Sequence, residues 1–238
     1  MKKSFIKLLA TAATAIFTLS ANAATTQVDI SPYTNFNTST YFYTNLPAGN
    51  TTGNAGSPGA GISFNILSQA DFPLNVWNGG FGGDQIDIKT SIFGATQVHT
   101  LLNTFWVFDQ ATVATVDFVG TNGAAQTFTL IGNRDIRDYN IGAGGTLGGT
   151  LAQSWWNTGY YFDVQTFNLN SSFANQTLTD IVITAAAGSG PGRSMPFLTG
   201  VTVESVAAAV PELETLPMMM AGIILLGVAS RRRSKSVR

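Results

Sequence analysis

Cysteine is absent from all 238 residues, and histidine occurs once, at His99. No disulfide can staple the chain, so core packing alone must hold its folded part together. Thiol nucleophiles are excluded, and a lone imidazole cannot join a second one at a zinc ion. A Ser-His-Asp triad would have to use His99, and no Gly-x-Ser-x-Gly elbow presents a serine. His99 lies in a strand-like run and reads as a hydrogen-bonded structural residue. Charge is scarce as well, at 11% of the chain. Polarity comes instead from Thr, Asn, Ser, Gln and 25 glycines, a composition of strands and turns rather than surface helices.

The 12 basic and 13 acidic residues suggest neutrality, but they are unevenly placed. Lys2, Lys3, Lys7, Arg231, Arg232, Arg233, Lys235 and Arg238 all lie at the two ends, leaving Lys89, Arg134, Arg137 and Arg193 in the middle. Set against Asp29, Asp71, Asp84, Asp87, Asp109, Asp117, Asp135, Asp138, Asp163, Asp180 and Glu204, these four leave the body with a net charge of −7. Nucleic acid, which needs a basic surface, is not an expected partner. Calcium or neutral polysaccharide suits an acidic body better. With 16 Phe, 4 Trp and 6 Tyr, the chain has too many aromatics for a disordered matrix protein.

The ends read as addresses. Residues 1–23 have a lysine-rich start, an apolar stretch from Leu8 to Leu19, and the small residues Ala21-Asn22-Ala23 that a signal peptidase accepts. Cleavage is expected after Ala23, with the Sec translocon and signal peptidase as partners. The apolar stretch is short for a permanent anchor. Residues 206–238 combine an Ala-rich tether, Val210-Pro211-Glu212, an apolar helix expected over 216–230, and a basic tail from Arg231 to Arg238. That helix would be about 22 Å long at about 1.5 Å per residue, marginal against a hydrocarbon core of roughly 30 Å. The arginines should stay cytoplasmic, with the body outside.

This tail resembles the PEP-CTERM sorting signal of Gram-negative bacteria that make exopolysaccharide. Val210, Pro211, Glu212, Gly222, Gly227, Arg231, Arg232 and Arg233 match its pattern, while Leu213 stands where the second proline belongs. An ordinary C-terminal anchor is the alternative. The resemblance implies an exosortase-like membrane protease that reads the tail, a transient inner-membrane anchor, and release to the cell surface or matrix. A second resemblance lies in the body. Val98 to Trp106 and Asn133 to Asn140 look like segments of uncharacterised secreted bacterial proteins with similar tails. Those are presumed β-sandwiches, and the likeness brings no activity with it.

Between the ends, residues 24–205 are expected to form one all-β domain, a sandwich or jelly roll. Period-two alternation marks Thr112 to Val119 and Gln126 to Ile131. Gly120-Thr121-Asn122-Gly123 between them supplies the Asn-Gly pair of a hairpin turn. Further strands are expected at Thr40 to Thr44, Gly61 to Leu67, Gln85 to Ser91, Gln97 to Phe108, Tyr161 to Leu169, Thr177 to Thr184 and Phe197 to Ser205. Loops are expected at Pro47 to Pro58, Asn78 to Gly83, Gly142 to Gly149 and Gly188 to Gly192.

Candidate binding residues follow from residue type. Arg134, Asp135, Arg137, Asp138 and Tyr139 fall in one short run. Extended, that run would put Arg134, Ile136 and Asp138 on one face and Asp135, Arg137 and Tyr139 on the other. It reads either as a salt-bridged strand end that orders a loop or as a sugar grip. In the second case the charged groups bind hydroxyls while an aromatic ring packs on a pyranose. Trp77, Trp155, Trp156, Tyr160 and Tyr161 are candidate platforms, whereas Trp106, inside an apolar run, is expected in the core. Asp84 and Asp87 beside a glycine-rich loop are a possible structural calcium site; no other cofactor is expected. The glycine runs at Gly142 to Leu147 and Gly188 to Ser194 lack the spacing of nucleotide loops. Three roles remain: a structural or adhesive surface protein of an exopolysaccharide or biofilm matrix, a lectin-like carbohydrate-binding module, and a polysaccharide hydrolase built on two carboxylates. The first, non-enzymatic, is preferred.

Overall fold

The computed structural model describes residues 23–38, 47–80, 83–157, 159–187 and 194–206. Residues 23–206 form one compact unit. The expected signal peptide, sorting tail, strand at Thr40 to Thr44 and loop at Gly188 to Gly192 lie wholly or mainly outside the described residues. Among the described residues no helix is long and apolar enough to cross a membrane.

The fold is all-β and sandwich-like. Its strands are β1 (Ala23–Val28), β2 (Gly49–Thr52), β3 (Ser63–Ile66), β4 (Trp77–Asn78), β5 (Gln85–Phe93), β6 (Ala95–Phe105), β7 (Thr112–Gly120), β8 (Ala125–Ile131), β9 (Ala152–Asn157), β10 (Tyr161–Asn168), β11 (Thr177–Ala185) and β12 (Met195–Val206). One sheet runs β1-β12-β6-β10-β9, with β4 also on β12; the other runs β5-β11-β7-β8; β2 and β3 pair separately. Every strand pair is antiparallel. The β7–β8 hairpin forms where alternation and Asn-Gly predict it, with Asn122 at φ 51° and Gly123 at φ 82°.

Two cores result. Ile86, Ile88, Val116, Phe118, Leu130, Ile181 and Ile183 of the smaller sheet meet Val98, Leu102, Phe167, Leu198, Val201 and Val203 of the larger one. A second cluster covers the larger sheet's outer face: Phe64 and Ile66 of β3 and Val76 pack with Leu101, Phe105, Trp155, Phe162, Val164 and Phe197. With both faces covered, β6 and β12 are buried almost continuously, so they lose the alternation that a half-buried strand shows. β11, on the simpler sheet, keeps it. Each Phe or Leu so buried contributes roughly 1.5–3 kcal/mol.

Four strands escape the pattern. β1, β4 and β9 are edge or short elements, and β2 lies inside an expected loop; all are held chiefly by their neighbours. β6 ends at Phe105, short of the expected Phe108, because Trp106 takes φ 54°. That left-handed backbone, rare for a large residue, turns the indole outward, so Trp106 is 55% exposed rather than in the core. In the other direction, Gly94 (φ 65°) alone links β5 to β6 and so carries the chain between sheets. A Cβ there would meet Val206 Cγ2 at 2.5 Å.

Candidate functional site

Antiparallel order sorts the connections into two ends. Ala23 pairs with Val206, and at that end lie the short connections at Gly94, residues 121–124 and residues 169–176. The opposite end carries, among the described residues, 79–80, 83–84, 106–111, 132–151, 159–160, 186–187 and Ser194. Sheets commonly hold their binding groups on such loops.

Residues 132–151 form the longest of these. Asn133, at φ 58°, starts a tight turn in which Asp135 N–H donates to Ile131 O at 2.9 Å. The run is therefore not a strand, and its expected two-faced division does not occur. Arg134 does bind its neighbour, Nη2 to Asp135 Oδ2 at 2.6 Å. Arg137 instead passes over Asp138 and reaches Asp163 on β10, with Nε donating to Oδ2 at 2.8 Å and Nη2 to Oδ1 at 2.7 Å. Its guanidinium lies 3.4 Å from the centre of the Tyr161 ring. Asn103 Nδ2 donates to Asp163 Oδ2 at 2.9 Å, and Asp163 N–H returns a bond to Asn103 Oδ1 at 2.9 Å. Burial pushes the Asp163 carboxyl up, and Arg137 and Asn103 pull it back.

Asp138 holds the adjoining loops. Its carboxylate accepts from Trp106 N–H at 2.8 Å and Asn140 N–H at 2.7 Å, while burial raises its pKa. The segment bridges β6 at Thr104–Asp138 and β10's start at Asn140–Tyr160. It thus fills the gap where β10 bulges after Phe162. These bonds order the loop, and one of its ion pairs is made with a residue far along the chain.

The expected aromatic platform is mostly interior. Trp77 and Trp155 are buried, and Trp155 Nε1 donates to Ile62 O at 2.7 Å. Trp156 is half-buried against the outer core. Tyr139 is buried, its ring 4.8 Å from Phe105 and stacked 5.8 Å from Tyr160; desolvation raises its phenol pKa. Trp155 and Tyr139 close the second core, a layer that a two-sheet reading does not anticipate, while Trp77 packs in the core between the sheets. Asp84 is exposed, whereas Asp87 pairs with Lys89, which also binds Asp180. Among the described residues no group of three metal-ligating side chains converges. His99 is buried, with Nδ1 3.0 Å from Thr166 Oγ1 and Nε2 3.2 Å from Glu204 Oε1. Burial lowers its pKa against the pull of Glu204.

Two depressions open at the loop end. One, about 520 Å³, is lined by Pro58, Arg137, the Gly144–Leu147 turn, Gln153, Ser154 and Tyr161, among others. Ser154 Oγ is buried there with no hydrogen-bond partner. The other, about 330 Å³, lies beside the exposed Trp106, with Asp138, Tyr139 and Asn140. Tyr161 was legible only as a nearby aromatic, and Ser154 carried no signal beyond its place in a polar-aromatic run. A scan against protein-family models finds no match to the chain, and a search of curated proteins finds none either.

Proposed function

We propose that this is an exported surface protein of a Gram-negative cell, clasped for a time to the inner membrane and then placed at the cell surface or in an exopolysaccharide matrix. Its role in this reading is structural or adhesive rather than enzymatic. Sec translocon, signal peptidase and an exosortase-like protease handle its ends. The observation that carries the reading is the side-by-side exit of the chain: Ala23 and Val206 are register partners at one end of the sheet. A signal peptide ending at Ala23 and a tail beginning just after Val206 would both leave from the end with short connections. The strand orders β1-β12-β6-β10 and β5-β11-β7-β8 also follow a jelly-roll path, a frame shared by lectin and capsid domains. That is a fold-level analogy and sets no ligand.

The test is mass spectrometry of both termini of the protein from native cells. A mature form starting at Ala24 and lacking residues 231–238 is expected. A cytosolic protein with both ends intact overturns the reading. Of the alternatives, carbohydrate binding has a specific observation in its favour, the polar-aromatic cleft at Arg137 and Tyr161. Among the described residues no carboxylate lines that cleft, which leaves a two-carboxylate hydrolase without support at this place.

A further inference from the structure

The cleft beside Arg137 combines three features rarely found together on a plain strand edge. Its volume of about 520 Å³ lies inside the roughly 300–1,000 Å³ range of small-molecule clefts. An aromatic ring, Tyr161, stands in its wall with the Arg137 guanidinium carbon 3.4 Å over the ring centre. A hydroxyl, Ser154 Oγ, is shielded from solvent and unpartnered, and buried polar groups are nearly always bonded. The side-chain amide oxygen of Asn133, Oδ1, is likewise buried and unpartnered; a Cβ on Gly145 would stand 3.1 Å from it.

The charge of the ligand follows from the ion pair. Arg137 spends Nε and Nη2 on Asp163, so its charge is already balanced, and Nη1 is the nitrogen left for a ligand oxygen. Asp135 and Asp138 flank Arg137 in sequence, and the body as a whole is acidic. A carboxylated or sulfated sugar would be repelled. An uncharged sugar offers hydroxyls to Arg137, Ser154 and Gln153 and an apolar ring edge to Tyr161, Pro58 and Leu147.

We propose that this cleft is a subsite for an uncharged polysaccharide, gripped by Arg137 Nη1, Ser154 Oγ and Gln153 and packed on Tyr161. The proposal deepens the surface-protein reading and rests on it for access to such a polymer.

The experiment uses the full chain, purified in detergent, run in native gels cast with galactomannan, dextran or mixed-linkage glucan as neutral probes, and polygalacturonate or alginate as acidic ones. Retardation by at least one neutral polymer and by neither acidic one is expected. Ser154→Ala should weaken binding about five-fold, the effect of one net hydrogen bond, and Gln153→Ala should weaken it similarly. Ser154→Ala should melt no lower than the parent, because it removes an unpaired polar group; that separates a lost ligand contact from a damaged fold. Thr129→Ala, an exposed change on the other sheet, should leave retardation as it was. Equal retardation by acidic polymers overturns the charge argument. Binding untouched by both cleft variants overturns the location, and no retardation by any probe overturns the site. Each of these leaves the terminal mass spectrometry unaffected, so the two readings fail separately.

Discussion

The two ends of the sandwich are built on different principles. Where the chain enters and leaves, strands are joined by a single glycine, by a tight hairpin and by a short 3₁₀ turn at Ser171–Phe173. There is little backbone to satisfy there. At the opposite end the connections are longer and the backbone is bent at Trp106, Gln110 and Asn133, all with positive φ. The buried charges Asp135, Arg137, Asp138 and Asp163 gather there too. One end is held by apolar packing and turn chemistry, the other by hydrogen bonds to buried charge. Directional bonds hold a loop in one shape without filling its surroundings, so the second end is where a cleft can persist.

The largest effect should come from breaking the ion pair. Arg137→Leu leaves Asp163 buried without its partner and should lower stability by about 3–5 kcal/mol in urea unfolding. Arg137→Leu with Asp163→Leu should recover most of the loss. If the single variant unfolds like the parent, the loop end is not held by charge. Next, Phe64→Ala removes the plug of the outer core and should cost about 3–5 kcal/mol by the same measurement. Glycines sharpen the contrast between ends. Gly94→Ala meets both a positive φ and the Val206 side chain and should cost about 2–3 kcal/mol. Gly144→Ala in the open loop has only the φ penalty, since nothing lies within 4 Å, and should cost about 1 kcal/mol. Equal losses would contradict the difference in packing.

The smallest effect concerns pH. The folded-state pKa of His99 lies below its ordinary value of 6.5, so the unfolded chain takes up the proton first. The stabilising contribution is present above pH 6.5 and is lost as pH falls through the lowered folded value. Stability measured by chemical unfolding should therefore decline from pH 6.5 downward, and His99→Gln should flatten that part of the curve. An unchanged slope would place the titration elsewhere.

Much of the smaller sheet could be read from residues alone. Val116, Phe118, Ile181 and Ile183 alternate because one face of their strands meets the core and the other meets water, and Asn122-Gly123 is a local turn instruction. β6 and β12 were recognisable as strands, yet their burial on both faces was not, because covering by β2 and β3 depends on residues far away in the chain. The same distance hid the Arg137–Asp163 pair: adjacent acids at Asp135 and Asp138 are nearer in sequence, but a turn at Asn133 aims the guanidinium at β10. Trp106 and Trp155 exchanged their expected roles for a related reason. Hydrophobicity says that an indole prefers burial; only the local φ and the space left by neighbours decide which indole obtains it.

What composition and order determined was a thiol-free, acidic, all-β body, since alternation, turn residues and charge placement act over a few residues. The third layer, the paired exit of β1 and β12, the exposure of Trp106 and the cleft at Tyr161 belong to tertiary structure. Each depends on bringing together groups widely separated along the chain, and no short-range pattern encodes that geometry.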